Sequence, residues 1–499
     1  MQKYISLNPE YVLKLDNGRV LIITKDVLRT KLPVVESVIH PLHAMILSFF
    51  NGLFTLEEAI EQASLTLTIE KELILQFISP IIDNEYTIGV NITESDILVF
   101  PKRTLISHGT PVLREKYDYK SFYYDSLNLK TDRHFTPSRV TFMVTTKCYT
   151  NCIYCYANRR KDISLLPFAR VKEIIQEAKE LGVVSFDVIG GEFFLYEYWK
   201  EMLQLLLKYN YSPFISTKVP ISINDIRYLS EQGVKDIQVS LDTLLPEHII
   251  NLLSVKDSYV HAIKDTLKNL DRFRIKVQIH TILTSINDSI NDMISIYEFI
   301  SRLTYIQSWK IDVAASTLYK SEDDYANIKN RRERLKLLTK FFETIKQQNS
   351  KIEIISGDID LENNPNPNEL SVQDKQIFFT HKRDVFCAAN YSSLFILPDG
   401  KVTICEELYW NPRFIIGDCK VENLIDIWNS PRAKGLYYLS VDKIQEKSPC
   451  KKCNLFKKCR QEFGGVCWRE VIKAYGSENW DYPDPRCPKA DSVTKEIYI

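Results

Sequence analysis

Lys147-Cys-Tyr-Thr-Asn-Cys-Ile-Tyr-Cys-Tyr156 places Cys148, Cys152 and Cys155 at the spacing C-x3-C-x2-C. Three thiolates can hold three corners of a [4Fe–4S] cube and leave the fourth iron for another ligand, whereas such clusters are ordinarily closed by four cysteines. The next cysteine in the chain is Cys387. A structural zinc site is the alternative reading. It takes four ligands, with one C-x2–4-C pair meeting a second, and no second pair lies nearby.

The flanks read as a parallel α/β unit. Residues 139–146 (RVTFMVTT) form a predicted strand that runs into the cysteine loop. Residues 167–181 carry apolar positions at helical spacing and stop at Gly182. A second strand, 183–189, ends in Gly190-Gly191-Glu192. Strands at 214–217, 236–241, 276–282 and 309–314 follow, with helices such as 224–232 and 259–273 between them. Strands alternating with helices of this length predict βαβ units and a parallel sheet. Six strands fit a partial barrel better than a closed eight-stranded one, and chemistry sits at the strand C-termini of such folds.

A strand, a C-x3-C-x2-C loop and a second strand ending in Gly-Gly-Glu resemble the partial (β/α)6 barrel of the radical S-adenosylmethionine (SAM) enzymes, over residues 137–345. The resemblance implies a cluster whose open iron binds the amino and carboxylate groups of SAM and whose reduction releases a 5′-deoxyadenosyl radical. It implies that Gly190, Gly191 and Glu192 contact the methionyl amino group, and that Tyr154 packs near adenine. Ser240 and Asp242, at the end of the fourth strand, are similar to groups that bind the ribose or carboxylate, with helix capping as their alternative. One departure stands out. Residues 246–255 contain no arginine to pair the SAM carboxylate, and Lys256 is the nearest permanent cation along the chain.

The C-terminal third carries a second cysteine pattern. Cys387 precedes Pro398-Asp399-Gly400, Cys405 lies five residues past that glycine, and Cys450, Cys453, Cys459, Cys467 and Cys487 follow. This resembles the seven-cysteine SPASM domain, with a longer gap than usual between Cys459 and Cys467. By that resemblance Cys450, Cys453, Cys459 and Cys487 hold one auxiliary iron–sulfur cluster. Cys387, Cys405 and Cys467 hold the other, whose fourth ligand is His381, Cys419 or an open iron. A pair of zinc ribbons is the alternative. In sulfatase-maturing relatives an acidic residue at the position of Glu406 resembles a catalytic base, while consecutive glutamates are otherwise solvated charges.

The first 95 residues differ. Residues 11–23 alternate on both sides of Asn17-Gly18, a β-hairpin signal. Leu42, Ile46, Phe49 and Leu53 predict one helix ending near Asn51-Gly52. Thr55 and Glu58 have capping-box spacing for a second, and residues 70–78 predict a third, stopped by Pro80. Strands followed by three short helices resemble the winged-helix RiPP recognition element of ribosomal-peptide modifying enzymes, which implies a leader peptide bound by β-augmentation. A purely structural domain is the alternative. Seven Lys plus Arg stand against 12 Asp plus Glu over residues 1–95, so this α+β domain lacks the basic face that DNA binding needs.

Over all 499 residues, 64 basic side chains balance 64 acidic ones, which gives no general attraction to nucleic acid or anionic membrane. The N-terminus has no signal-peptide core and no run is long enough to span a membrane, so a cytoplasmic location is expected. There, 11 cysteines read as metal ligands rather than disulfides. The predicted layout is a recognition domain at 1–95, a linker at 96–136, the barrel at 137–345, a bridging segment at 346–384 and the cluster domain at 385–499. The expected function is a radical SAM peptide maturase that closes a C–C, ether or thioether crosslink in a ribosomally synthesised precursor peptide. A flavodoxin- or ferredoxin-type protein would supply electrons. The alternatives are a sulfatase-maturing-type oxidase and a non-catalytic peptide-binding cluster protein.

Overall fold

The computed structural model describes residues 3–91, 97–158, 163–315, 317–319, 331–346, 351–356, 371, 373, 387–461 and 466–490. It divides into two compact units: Met1–Arg139 with Ala178–Ser185, and Val140–Glu177 with Phe186–Ile499.

In the first unit, β1 (Tyr4–Leu7), β2 (Tyr11–Leu15), β3 (Val20–Thr24) and β4 (Glu36–Ile39) come first. Strands β2 and β3 form the expected hairpin, with Leu15 opposite Val20. Its turn holds Asn17 at φ 48° and Gly18 at φ 86°, the left-handed pair that matches strand twist. Strand β3 lies between β2 and β4, and its Val20, Leu21, Ile22 and Ile23 are wholly buried in the core.

Helix α1 is shorter than the apolar spacing predicts. It covers Pro41–Leu47, and Asn51–Thr55 forms strand β5 against β1. The physical reason is Gly52. Its φ is +83° and a Cβ there would lie 2.0 Å from the Val112 carbonyl oxygen, a close backbone approach open only to glycine. Helix α2 (Leu56–Leu67) starts with the expected capping box, Thr55 and Glu58 each satisfying the other's backbone N–H. Helix α3 (Lys71–Ile78) follows. Residues 96–136, read as a linker, belong to this unit. Strand β7 (Ile97–Phe100) pairs with β6 (Ile88–Asn91), and β8 (Leu105–His108) pairs with β1. Leu98, Phe100, Leu105 and Phe122 are buried in the same core. Strands and helices therefore interleave, instead of strands preceding three helices.

The second unit holds the alternating α/β region. Strands β9 (Arg139–Met143) and β10 (Ser185–Ile189) are neighbours in one sheet. Strands β11 (Ser216–Thr217), β12 (Asp236–Ser240), β13 (Lys276–Leu283) and β14 (Ile306–Val313) run parallel in another. These are the six expected strands. A further strand, β15 (Glu353–Ile355), pairs parallel with β14, so the sheet reaches into the segment read as a bridge. Along β13 fully buried Val277, Ile279, Thr281 and Leu283 alternate with half-buried Gln278, His280 and Ile282. One face packs under helices and the other stays accessible. Beyond it, β16 (Ser393–Ile396), β17 (Lys401–Thr403) and β18 (Ile415–Asp418) extend the sheet of β9. Among the described residues no helix is long and apolar enough to cross a membrane.

Candidate active site

The three-cysteine loop follows β9 and is pinned by backbone bonds. Asn151 N–H donates to the Leu253 carbonyl at 2.8 Å and Ile153 N–H to that of Leu252 at 3.1 Å. These carbonyls end the helix Pro246–Leu253, where they have no partner within the helix. Thr150 Oγ1 lies 3.5 Å from Cys148 Sγ and 3.2 Å from Cys152 Sγ. Gly191 explains its own identity: a Cβ would lie 2.2 Å from the Lys147 carbonyl oxygen. The Gly-Gly turn after β10 thus packs directly on the backbone entering the loop.

Tyr154, Asp242 and Lys218 meet beside this loop. The Tyr154 hydroxyl donates to Asp242 Oδ2 at 2.6 Å, and Lys218 Nζ donates to the Tyr154 oxygen at 2.6 Å and to Asp242 Oδ2 at 2.5 Å. Asp242 Oδ1 accepts from Ile282 N–H at 3.0 Å. Burial pushes the Tyr154 phenol well above its ordinary range and the Asp242 charge adds to this, so the phenol stays a donor. Burial also raises the Cys152 thiol, and the Lys218 ammonium opposes that rise. Glu192 reaches the same strand end, accepting from the Thr217 hydroxyl at 2.8 Å and from Lys218 N–H at 3.1 Å. Burial raises its carboxyl. Ser240 is half-buried at the end of β12. Asp242 does not cap the following helix, whose N-cap is Leu245.

Sequence reasoning missed Lys218. It looked for a cation after the fourth strand and found only Lys256, whereas the one against the cysteine loop follows the third. No motif marks Lys218. Its role comes from β11 pairing in register with β12, Thr217 opposite Val239. His280 and Asp312 were missed too. His280 Nε2 and Lys310 Nζ contact Asp312 Oδ2 at 2.9 and 2.8 Å. Burial raises the Asp312 carboxyl, but the hydrogen bonds from His280 and Lys310 and the Lys310 charge outweigh it and hold it down at about 2.

The remaining cysteines form two groups. Cys387, Cys405 and Cys467 line one open cavity of about 80 Å³. Cys405 is electrostatically coupled to both others. Cys459 is coupled to Cys487 and Cys450, and Cys487 to Cys450 and Cys453. Cys419 joins neither group. It is wholly buried and lies beside Arg170, Glu177, Asp418 and Glu422. His381 lies outside the described residues. Glu406, in the turn Glu406–Leu408 directly after Cys405, sits close enough to Tyr156 to be the main cause of that phenol's raised pKa. It also acts on Tyr409, which is in turn coupled to Cys155. Glu406 therefore faces the first cysteine loop. Burial pushes its carboxyl up to about 7, with Glu407 adding and Arg469 opposing.

Among the described residues no three Cys, His, Asp or Glu side chains converge as ligands of a single metal ion. A cube held at its corners spaces its thiolates more widely than ligands sharing one ion. The donor set fits such clusters: soft sulfurs on pinned loops, with the Thr150 hydroxyl, the Lys218 ammonium and the buried, unpartnered Nη atoms of Arg460 beside them.

Residues 142–300 match the model of the Radical SAM superfamily, and residues 387–454 that of the SPASM iron–sulfur cluster-binding domain. A GTP 3′,8-cyclase of Clostridium perfringens is 28% identical over 166 residues, which is 31% of this chain and 49% of the cyclase. The chain thus spans about half the length of that curated relative. In fold, the chain is similar to Streptococcus suis SuiB bound to S-adenosylmethionine, with a TM-score of 0.63 and 18% identity over 97% of this chain and 99% of SuiB. SuiB bound to the precursor peptide SuiA matches over the same shares at a TM-score of 0.61 and 16% identity. The chain therefore carries a radical SAM superfamily domain over residues 142–300 and a SPASM domain over residues 387–454, and with them the [4Fe–4S] cluster, SAM and auxiliary iron–sulfur clusters of a radical SAM enzyme.

Proposed function

We propose that this chain is a cytoplasmic radical SAM/SPASM maturase that closes an intramolecular crosslink in a ribosomally synthesised precursor peptide. The observation that carries this reading is the likeness of fold over 97% of the chain to a protein solved with its precursor peptide. That likeness takes in Met1–Arg139 of the first unit, which precede the matched radical SAM residues. The first unit would bind the leader of the peptide as an added strand.

When bound, the cluster and SAM supply a 5′-deoxyadenosyl radical that takes a hydrogen atom from the peptide. Cys148, Cys152 and Cys155 would hold that cluster. Gly190, Gly191, Glu192 and Ser240 would line the SAM site, and Lys218, Tyr154 and Asp242 fix the loop between them. Cys387, Cys405 and Cys467 would hold one auxiliary cluster and Cys450, Cys453, Cys459 and Cys487 the other. Closing a bond after hydrogen abstraction releases a proton and an electron. Glu406 would take the proton, a reading supported by its nearness to Tyr156 and Tyr409 beside the cysteine loop. The electron would pass to the auxiliary clusters, and a flavodoxin- or ferredoxin-type protein would supply the electron that starts the cycle.

The test is anaerobic reconstitution with iron and sulfide, followed by incubation with SAM, a reductant and a precursor peptide. We expect 5′-deoxyadenosine and a peptide lighter by two hydrogens. The variant Cys148→Ala/Cys152→Ala/Cys155→Ala should lose about four irons and all 5′-deoxyadenosine. Peptide left unmodified while GTP is consumed would overturn the reading.

A further inference from the structure

Arg460 lies on the short helix Phe456–Gln461, one residue after Cys459. Only 8% of it is exposed. Its Nη1 and Nη2 atoms are buried with no hydrogen-bond partner, and its guanidinium stands 5.4 Å from the Phe456 ring centroid. It lines the cavity that holds Cys387, Cys405 and Cys467. It also stands against the other group, next to Cys459 in the chain and within hydrogen-bond reach of the Cys450 sulfur.

The rest of that cavity wall is mostly apolar, including Ile404, Leu408, Leu436 and Trp468. One other cation lines it, Arg469. That charge is already matched, since Arg469 pairs with Glu407 and with Glu470. Arg460 has no carboxylate ion pair among the described residues. A buried cation without an anion is strongly disfavoured, and the unmade Nη hydrogen bonds add to this. A cluster of thiolates and sulfides bound there would be an anion whose sulfurs accept hydrogen bonds.

We propose that Arg460 is a positioning cation shared by the two auxiliary cluster sites, donating from its Nη atoms into the Cys387/Cys405/Cys467 site and raising the reduction potentials of both clusters. This rests on the ligand grouping given above. Net charge and hydrogen bonds to sulfur set cluster potentials. A fixed positive charge favours the reduced, more negative state, so both clusters accept an electron more readily. One side chain would then match both auxiliary sites to the electron released when the crosslink closes.

The test uses the full chain in the Cys148→Ala/Cys152→Ala/Cys155→Ala background, which leaves only the auxiliary signals. Iron and sulfide are counted per chain, and potentials are read by EPR-monitored redox titration. Arg460→Gln should lower the reduction equilibrium constant at least tenfold, about 59 mV for a one-electron couple. Arg460→Lys, which keeps the charge, should stay within about threefold. Full iron with unchanged potentials in Arg460→Gln overturns the proposal, as do equal shifts in both variants. If Arg460→Gln fails to hold iron, Arg460→Lys decides: retained iron and potentials support the charge role, and loss there too overturns it. A background protein with no auxiliary iron overturns the ligand grouping itself, and the proposal with it, before Arg460 is altered.

Discussion

Tyr154 and Asp242 stand 88 positions apart in sequence, and the Tyr154 hydroxyl donates to Asp242 Oδ2 at 2.6 Å. The bond ties the loop after β9 to the end of β12, and Lys218 closes the triangle from the end of β11. The Asp242 side chain is 0% exposed and that of Lys218 14%. The ion pair is therefore buried, and its loss strands a charge. Lys218→Met should destabilise the second unit by about 3–5 kcal/mol, measured by urea unfolding of the cluster-free protein. Asp242→Asn added to it should recover part of that loss. A cost under about 1 kcal/mol would mean that water reaches the pair and screens it.

Gly191→Ala tests the contact between the Gly-Gly turn and the cysteine loop. A Cβ placed 2.2 Å from the Lys147 carbonyl oxygen and 2.6 Å from that of Thr146 forces the backbone apart. Overpacking of this kind costs about 1–3 kcal/mol. It also moves Cys148, one residue beyond the clash. The expected outcome is a lower melting temperature and loss of the SAM-responsive EPR signal, with the auxiliary clusters retained. Gly190→Ala meets its nearest atom at 3.1 Å and should be milder.

His43 gives the first unit an acid-sensitive point. Its Nδ1 is buried without a partner, and its ring stacks on Phe77 at 4.3 Å between centroids. Burial pushes its pKa down to about 4, and the neighbouring His40 adds to this. Above the unfolded value near 6.5 the ring is neutral in both states. As pH falls from about 6.5 towards 4 the unfolded chain takes up the proton first, so stability is lost across that window. The loss between pH 7 and pH 5 should be about 2 kcal/mol. His43→Leu should flatten the pH dependence of unfolding by that amount. An unchanged slope would mean that the ring is already solvated.

The parts of the fold legible in the sequence were those written in short-range chemistry. Asn17-Gly18 specifies its turn through two left-handed residues, Thr55 and Glu58 cap a helix three positions apart, and Cys148, Cys152 and Cys155 share one loop. The parts that were not legible depend on partners far along the chain. Gly52 lies in a strand and not at the end of a helix because Val112 packs against its backbone. Residues 96–136 read as a linker because β8 finds its partner in β1, about a hundred residues earlier. Lys218 carries no motif, and Arg460 sits among other basic residues beside Cys459 with nothing in the sequence to single it out.

That continuity of the first core changes how the leader should be tested. Cutting the chain at residue 95 would expose Leu98, Phe100, Leu105 and Phe122 and remove their core partners, so loss of activity there would report misfolding. The informative change is in the peptide. With the full chain, a precursor lacking its leader should be modified about 10²–10⁴-fold less efficiently at low concentration, while 5′-deoxyadenosine formation continues. Equal efficiency with and without the leader would give the first unit another role.

Glu406 is the last group whose role can be separated by substitution. It follows Cys405 directly and faces Tyr156 and Tyr409, and so the first cysteine loop. Glu407, its neighbour, is instead held by Arg469 and Lys473. Of the two adjacent carboxylates, Glu407 forms the ion pairs, while Glu406 feels Arg469 only at longer range and stands by the loop tyrosines. Glu406→Gln keeps the shape and removes the proton acceptor. Iron content and SAM cleavage should persist, while formation of crosslinked peptide slows by about two to four orders of magnitude. Glu407→Gln should instead act on stability, because it leaves Arg469 and Lys473 with Glu470 as their remaining carboxylate. A loss of less than about threefold in Glu406→Gln, with clusters intact, would assign the proton to another group. His280 on the accessible face of β13, held by Asp312, would then be the next residue to alter.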